Sequence, residues 1–237
     1  GGAVSPQSES SESRELTKDD SDTYLIYTAE NLKEFAAIVN GTAEGIAQNT
    51  SANAKLMNDI DLNGSEENPW APIGNSIDNP YEGTFNGDGH TISGLYINTD
   101  DQGLFGYVSG SGKIEKLNVS GTVSGGMFVG VVGYNYPGAS VENCYNTGSV
   151  NGSGNLYVGG VVGHNSISSS VTNCYNTGAV SGSGLYVGGV VGNNYNGSVE
   201  NCYNTGDVSG NNYVGGVVGQ NSGSVKNCYN TGTVTGS

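Results

Sequence analysis

Four segments of this chain repeat almost letter for letter: VENCYNTGSV (141–150), VTNCYNTGAV (171–180), VENCYNTGDV (199–208) and VKNCYNTGTV (225–234). Each follows a glycine–valine stretch: GMFVGVVGYN, LYVGGVVGHN, LYVGGVVGNN and NYVGGVVGQN. The cysteines at 144, 174, 202 and 228 set periods of 30, 28 and 26 residues. A unit this short cannot bury a hydrophobic face alone, so successive units must stack. Each holds three short β-prone pieces, YVGGVVG, SVENCYN and GxVSG, divided by breakers and free of a helical period. A propeller blade needs roughly 40–45 residues, and the leucine pattern of a horseshoe is missing. The spacing predicts an all-β, right-handed, single-stranded parallel β-helix, one coil per repeat. Neighbouring coils then lie one strand spacing, ~4.8 Å, apart.

The pattern degrades upstream without vanishing. KIEKLNVSGTV (113–123) places Ile114 in the Val141 slot, Leu117 in the Cys144 slot and Val123 in the Val150 slot. TISGLYI (91–97) fits with Ile92, Leu95 and Tyr96 in the valine, cysteine and tyrosine slots, and LMNDIDL (56–62) is a looser version. About six or seven coils result. Before them, Tyr24–Tyr27 reads as a strand. Thr28 is a candidate N-cap, and Leu32, Phe35, Ala36 and Val39 follow helical spacing to the Asn40-Gly41 stop signal. Such a helix would cover the open first coil. Three regions follow: a Ser/Glu-rich linker over 1–23, a cap with degenerate coils over 24–126, and four regular coils over 127–237.

The side-chain order within a coil follows from substitutions. Leucine replaces cysteine and isoleucine replaces valine, so both slots face the core. Strict alternation would separate them, so the chain must bend at the intervening asparagine, a residue that tolerates the left-handed region. Asn143, Asn173, Asn201 and Asn227 are expected to stack as an amide ladder, and Asn135, Asn165, Asn194 and Asn221 form a second candidate. Cys144, Cys174, Cys202 and Cys228 are expected to be a buried column of free thiols. In-register side chains would strain the roughly 90° torsion of a disulfide. Tyr145, Tyr175, Tyr203 and Tyr229 should point outward, with Tyr96 on the same line. Such a row could grip a sugar or a partner protein, or simply hold coils together. A second series, Tyr157, Tyr186 and Tyr213, starts at Met127 and covers a strand edge.

Composition bounds the partners. Seven basic residues and a net charge of −15 leave no phosphate-binding stripe, which excludes nucleic acid as a main partner. No apolar run approaches the roughly 18 residues of a membrane helix. No cofactor is implied. Asp59, Asp61 and Asn63 match the start of a calcium loop, but Trp70 stands where its bidentate glutamate belongs. Residues 127–237 carry only Glu142, Glu200, Asp207 and Lys226 as charges. Glu142 and Glu200 share a slot two coils apart, ~10 Å by strand spacing, near or beyond the reach of an inverting carboxylate pair. His164 shares its slot with Tyr134, Asn193 and Gln220, which reads as solvent-facing. His90, beside Asp88, reads as a loop cap.

GVVG at 130–133, 160–163, 189–192 and 216–219, with GLFG at 103–106, resembles the GLUG-motif family. The run YTAENLKEFAAIVNG…LMNDIDLNG…WAPIGN…YEGTFNGDGHTISGLYIN is similar to the region preceding such repeats in bacterial surface proteins, and to non-catalytic parts of immunoglobulin-A-specific metallopeptidases. The resemblance implies a secreted or surface-attached bacterial β-helix. We therefore expect a non-catalytic extracellular module, adhesin-like or a stalk, whose lateral face takes a glycan or a host protein. Lipid or wall anchoring would fit. The alternative is a carbohydrate-active enzyme or its sugar-binding accessory region. The last coil shows no capping pattern, which predicts either that the natural chain continues into a cap or more coils or, the favoured outcome, that two copies pair end to end.

Overall fold

The structure, a computed structural model, describes residues 14–97, 102–154 and 156–237. A regular coil contains five short strands: Tyr157–Gly159, Val162–Asn165, Ser170–Thr172, Tyr175–Asn176 and Val180–Gly182. Each pairs in parallel with its counterparts above and below, so Val171 lies between Val141 and Val199. The stacks form sheets of four, five, nine and eleven strands. In the nine-stranded sheet, the parallel strands from Thr23–Ile26 to Ser224–Lys226 bound about seven turns of a parallel β-solenoid.

One continuous core runs along the axis. Its valine-slot column is Ala54, Phe85, Ile114, Val141, Val171 and Val199, each no more than 1% exposed. The core changes character along this axis. The early coils are filled by Phe35, Tyr81, Phe85 and Phe105, whose ring centroids lie 5.2–6.0 Å apart. The later coils use valine and cysteine. β-Branched valine suits the pleated surface. The corner after each NT pair requires glycine: a Cβ on Gly178 would stand 1.9 Å from the carbonyl oxygen of Gly148.

The only helix among the described residues spans Ala29–Asn40. The Thr28 hydroxyl accepts the Asn31 amide at 3.0 Å, and Gly41 ends the helix at φ 77°. Leu32, Phe35, Ala36 and Val39 are buried on the first coil, which shields that end of the core from water.

Two sequence expectations need correction. The linker does not reach residue 23. Residues 1–13 lie outside the described residues, but Thr17–Lys18 pairs antiparallel with Tyr24 and Leu25. The Asn31 side-chain Nδ2 donates to the Arg14 carbonyl, and the Arg14 guanidinium sits 3.4 Å from the Tyr27 ring centre. Charge-rich composition was outweighed there by edge pairing and a cation–π contact. The second correction is the slot alignment of TISGLYI. Ile92 pairs with Val119, whereas Leu95, Tyr96 and Ile97 pair with Gly121, Thr122 and Val123 across an irregularity. The valine slot of that coil belongs to Phe85. Ile92 therefore lies in the Asn146 column from the start, and the one extra residue between Ile92 and Leu95 shifts the rest by one more position.

Candidate functional site

The motif N-C-Y-N-T-G builds the most regular surface of the molecule. Asn143, Asn173, Asn201 and Asn227 adopt φ of 52–55°, in the left-handed region. The bend turns valine and cysteine both inward: Val171 and Cys174 are each 0% exposed. Alternation then sends Tyr175 outward, Asn176 inward and Thr177 outward. Thr147, Thr177, Thr205 and Thr231 are exposed, as are Asn173, Asn201 and Asn227.

The bend asparagines do not form the expected amide ladder, because their side chains point off the sheet. The ladder runs one step further on, through the inward Asn146, Asn176, Asn204 and Asn230. Each Nδ2 donates to the next Oδ1 at 2.7–2.8 Å and to the carbonyl two residues ahead, as in Asn176 to Gly178 at 2.7 Å. Asn135, Asn165, Asn194 and Asn221 make a second ladder at 2.8–3.2 Å. The buried Asn135 Oδ1 has no partner, because the preceding coil places Val108 there. The first ladder could have been found from the sequence: once Cys144 is inside and Tyr145 outside, Asn146 must return to the core. Upstream, Ile92 and Val119 occupy its column.

Cys144, Cys174 and Cys202 are buried free thiols and Cys228 is half-buried. Their Sγ atoms donate to carbonyls two residues back at 3.2–3.3 Å. Burial pushes the Cys174 and Cys228 thiols up, and the hydrogen bond that Cys202 donates to Cys174, together with burial, does the same for Cys202. Such thiols are poor nucleophiles.

Tyr145, Tyr175, Tyr203 and Tyr229 form one continuous stack, with centroids 3.9, 4.7 and 5.0 Å apart and planes within 18°. The phenols of Tyr145 and Tyr203 are pushed up, mainly by burial. Tyr96 is not on this line. The column below Tyr145 holds Asn118, while Tyr96 pairs with Thr122. The second series begins at Phe128, which pairs with Tyr157, and not at Met127, which is 53% exposed. Phe128, Tyr157, Tyr186 and Tyr213 follow at 5.2–5.3 Å.

This second row meets an aromatic cluster that sequence reasoning missed. His164 is only 6% exposed, not solvent-facing. Tyr134 and Tyr157 lie 4.5 and 4.9 Å from it, Phe128 5.9 Å and Tyr195 6.3 Å. Asn193 Nδ2 approaches its Nδ1 at 3.2 Å. Burial lowers its pKa to about 4, so it is neutral at physiological pH. The slot mixes four residue types, and only the rings of neighbouring strands reveal that it is covered.

Asp59, Asp61 and Asn63 act as loop-closing groups. Asp59 accepts from the Thr91 amide at 3.0 Å and meets His90 Nδ1 at 3.1 Å. These bonds, the backbone amide first, hold its carboxyl below the usual range. Asp61 accepts the Asn63 amide at 2.8 Å, and Asn63 turns the chain at φ 48°. Asp59, Asp61 and Asn63 line a cleft of about 700 Å³ beside Tyr27, Glu30 and Lys33. Among the described residues no group of three or more His, Cys, Asp or Glu side chains is placed to hold a metal.

Comparison with known proteins matches this geometry to a family. The GLUG motif is matched at residues 130–151, 154–181, 183–209 and 210–235, one match on each regular coil. Halomucin of Haloquadratum walsbyi is 31% identical over 137 residues, covering 54% of this chain and 1% of that protein. A protein of Evansella cellulosilytica, named as a Gly-rich membrane protein, is 36% identical over 104 residues, covering 41% of this chain and 11% of its own length. The chain thus spans a small fraction of these relatives. In structure, a Bacteroides ovatus protein named as an immunoglobulin A1 protease superposes with a TM-score of 0.67 at 24% identity, covering 90% of this chain and 76% of that one. At that identity the likeness concerns the fold alone. Residues 130–235 thus carry four repeats of the GLUG-motif family, one on each regular coil.

Proposed function

We propose that this chain is a non-catalytic extracellular module of a bacterial surface protein, adhesin-like or a stalk, that meets its partner through its lateral face. The observation that carries this reading is the outward-facing Asn–Tyr–Thr strip, with mostly half-buried rings between mostly exposed polar side chains, repeated without change over four coils and uncharged in itself. A reaction centre is a local departure from regularity that concentrates titratable groups. Here the most ordered surface is the one that repeats. Both histidines are engaged in packing or loop closure. The surface character of the relatives, a halomucin and a Gly-rich membrane protein, supports the same placement.

The test is made on cells that produce the natural protein. Antibodies raised against this chain should label intact cells as strongly as permeabilised ones. Labelling only after permeabilisation would refute the surface placement. Incubation of the chain with neutral and acidic polysaccharides should release no new reducing ends or unsaturated products, and turnover would establish the enzymatic alternative.

A further inference from the structure

The outward slots of the four regular coils have not been held alike. The slot after the core valine reads Glu142, Thr172, Glu200, Lys226, and the slot after the corner glycine reads Ser149, Ala179, Asp207, Thr233. Between them, Asn, Tyr and Thr are unchanged in all four coils. The bend does not by itself require asparagine, since Lys116 and Asp88 also adopt φ of 54° and 51°. Stacking accounts for the tyrosine. Neither accounts for the threonine, which is exposed in all four coils and whose hydroxyl, among the described residues, meets a neighbouring carbonyl only at Thr147, 3.5 Å from the Val119 carbonyl oxygen.

In space the three columns are adjacent, with amides on one side, rings in the middle and hydroxyls on the other. Each column advances by one strand spacing, and the rings by 3.9–5.0 Å. Parallel rings in contact lie about 3.5–4 Å apart, so the more widely spaced Tyr203 and Tyr229 are slipped and leave part of their faces outward. Hydroxyls and amides would be stranded beneath an apolar protein surface. A polypeptide advances about 3.3 Å per residue and falls out of step with the columns. An extended chain of equatorially linked hexoses advances by roughly one strand spacing per sugar, keeps step, and offers hydroxyls to the outer columns and C–H faces to the rings.

We infer that the Asn–Tyr–Thr strip is a binding track for an extended, uncharged polysaccharide laid along the solenoid axis, one hexose per coil. This deepens the lateral-face reading above and rests on it. Partners carrying many negative charges are disfavoured by the chain's net charge of −15.

The experiment is affinity electrophoresis of the full chain through gels containing hydroxyethyl cellulose, glucomannan, amylose or alginate, with titration of β-1,4-linked oligosaccharides of two to six units. Expected is retardation by the first two polymers, little by coiled amylose or anionic alginate, and affinity that climbs to four units and then levels. Tyr175→Ala with Tyr203→Ala should weaken binding by about tenfold or more. Because ring loss can loosen the coils, Thr177→Val with Thr205→Val, isosteric and exposed, should also weaken it. Tyr186→Ala, which removes a stacked ring of the other row, should leave it unchanged. No retardation by any neutral polymer, a preference for alginate, a flat length series, or equal loss in Tyr186→Ala would each overturn the track. Surface labelling of cells would stand through all of these results, so failure of the track and failure of the surface reading are distinguishable.

Discussion

A buried amide is tolerated only where each of its polar atoms finds a partner, and Asn176 meets that demand. It is 0% exposed, accepts from Asn146, and donates to Asn204 and Gly178. Asn176→Ala should therefore destabilise the chain by about 2–3 kcal/mol. The same change at the exposed Asn230 should cost under about 1 kcal/mol, and urea unfolding of the two variants measures the difference. His164 supplies a pH dependence. Its folded pKa of about 4 lies below the unfolded value of 6.5. Between those values the unfolded chain binds the extra proton, so the stabilisation is complete above pH 6.5 and is lost as pH falls towards 4. The loss is at most about 3 kcal/mol, and His164→Asn, which copies the Asn193 slot, should flatten the slope in that window. The thiols give a third outcome. Native protein should present one accessible thiol, the half-buried Cys228, which labels slowly, and unfolded, unreduced protein should present four. Two or none after unfolding would mean that the column pairs into disulfides.

At the level of the element, substitution patterns carried more information than propensity. Leucine standing for cysteine and isoleucine for valine placed both slots in the core and required a bend between them, which the structure provides at φ 52–55°. What the pattern hid was register. TISGLYI contains the right residue types in the right order, yet it begins in the Asn146 column and not the valine slot, and the irregularity between Ile92 and Leu95 moves its second half by one residue more. A period-two element has no internal mark of its partner's register. The cluster around His164 was hidden for a related reason: its rings come from strands far apart in the chain and adjacent only through stacking. The helix was legible because its signals are local: the Thr28 cap, the apolar spacing and Gly41. It also acts as a lid on Phe85 and Tyr81 through Phe35. Phe35→Ala should cost about 3–5 kcal/mol, whereas Thr28→Ala should cost about 1 kcal/mol. Thermal unfolding should preserve that order, and near-equal losses would mean that the cap residue, not the ring, seats the helix.

Across the whole molecule, the two ends of the solenoid differ. The first coil is covered by the Ala29–Asn40 helix, whereas the last described coil leaves Val225 at 37% and Val234 at 41% exposure, with Val217 and Val218 half-buried. One coil earlier, Val190, Val191, Val199 and Val208 are at most 1% exposed. In a stacked array each coil is held mainly by its neighbours, so a coil with one neighbour opens more often than one with two. Backbone amides of residues 213–236 should then exchange with solvent faster than those of 157–208 in dilute protein. In a polypeptide of residues 1–237 alone, these strands and apolar side chains offer a template for a second copy, because pairing two such ends buries both valine sets and satisfies both edges. Raising the protein concentration should therefore slow exchange in 213–236 and leave 157–208 unchanged, in step with a doubling of sedimenting mass. Val218→Lys places a charge in that contact and should keep the segment fast at every concentration. Slow exchange in 213–236 at the lowest concentration, unaffected by Val218→Lys, would show that the final coil is held without a partner and that the exposed end does not drive pairing.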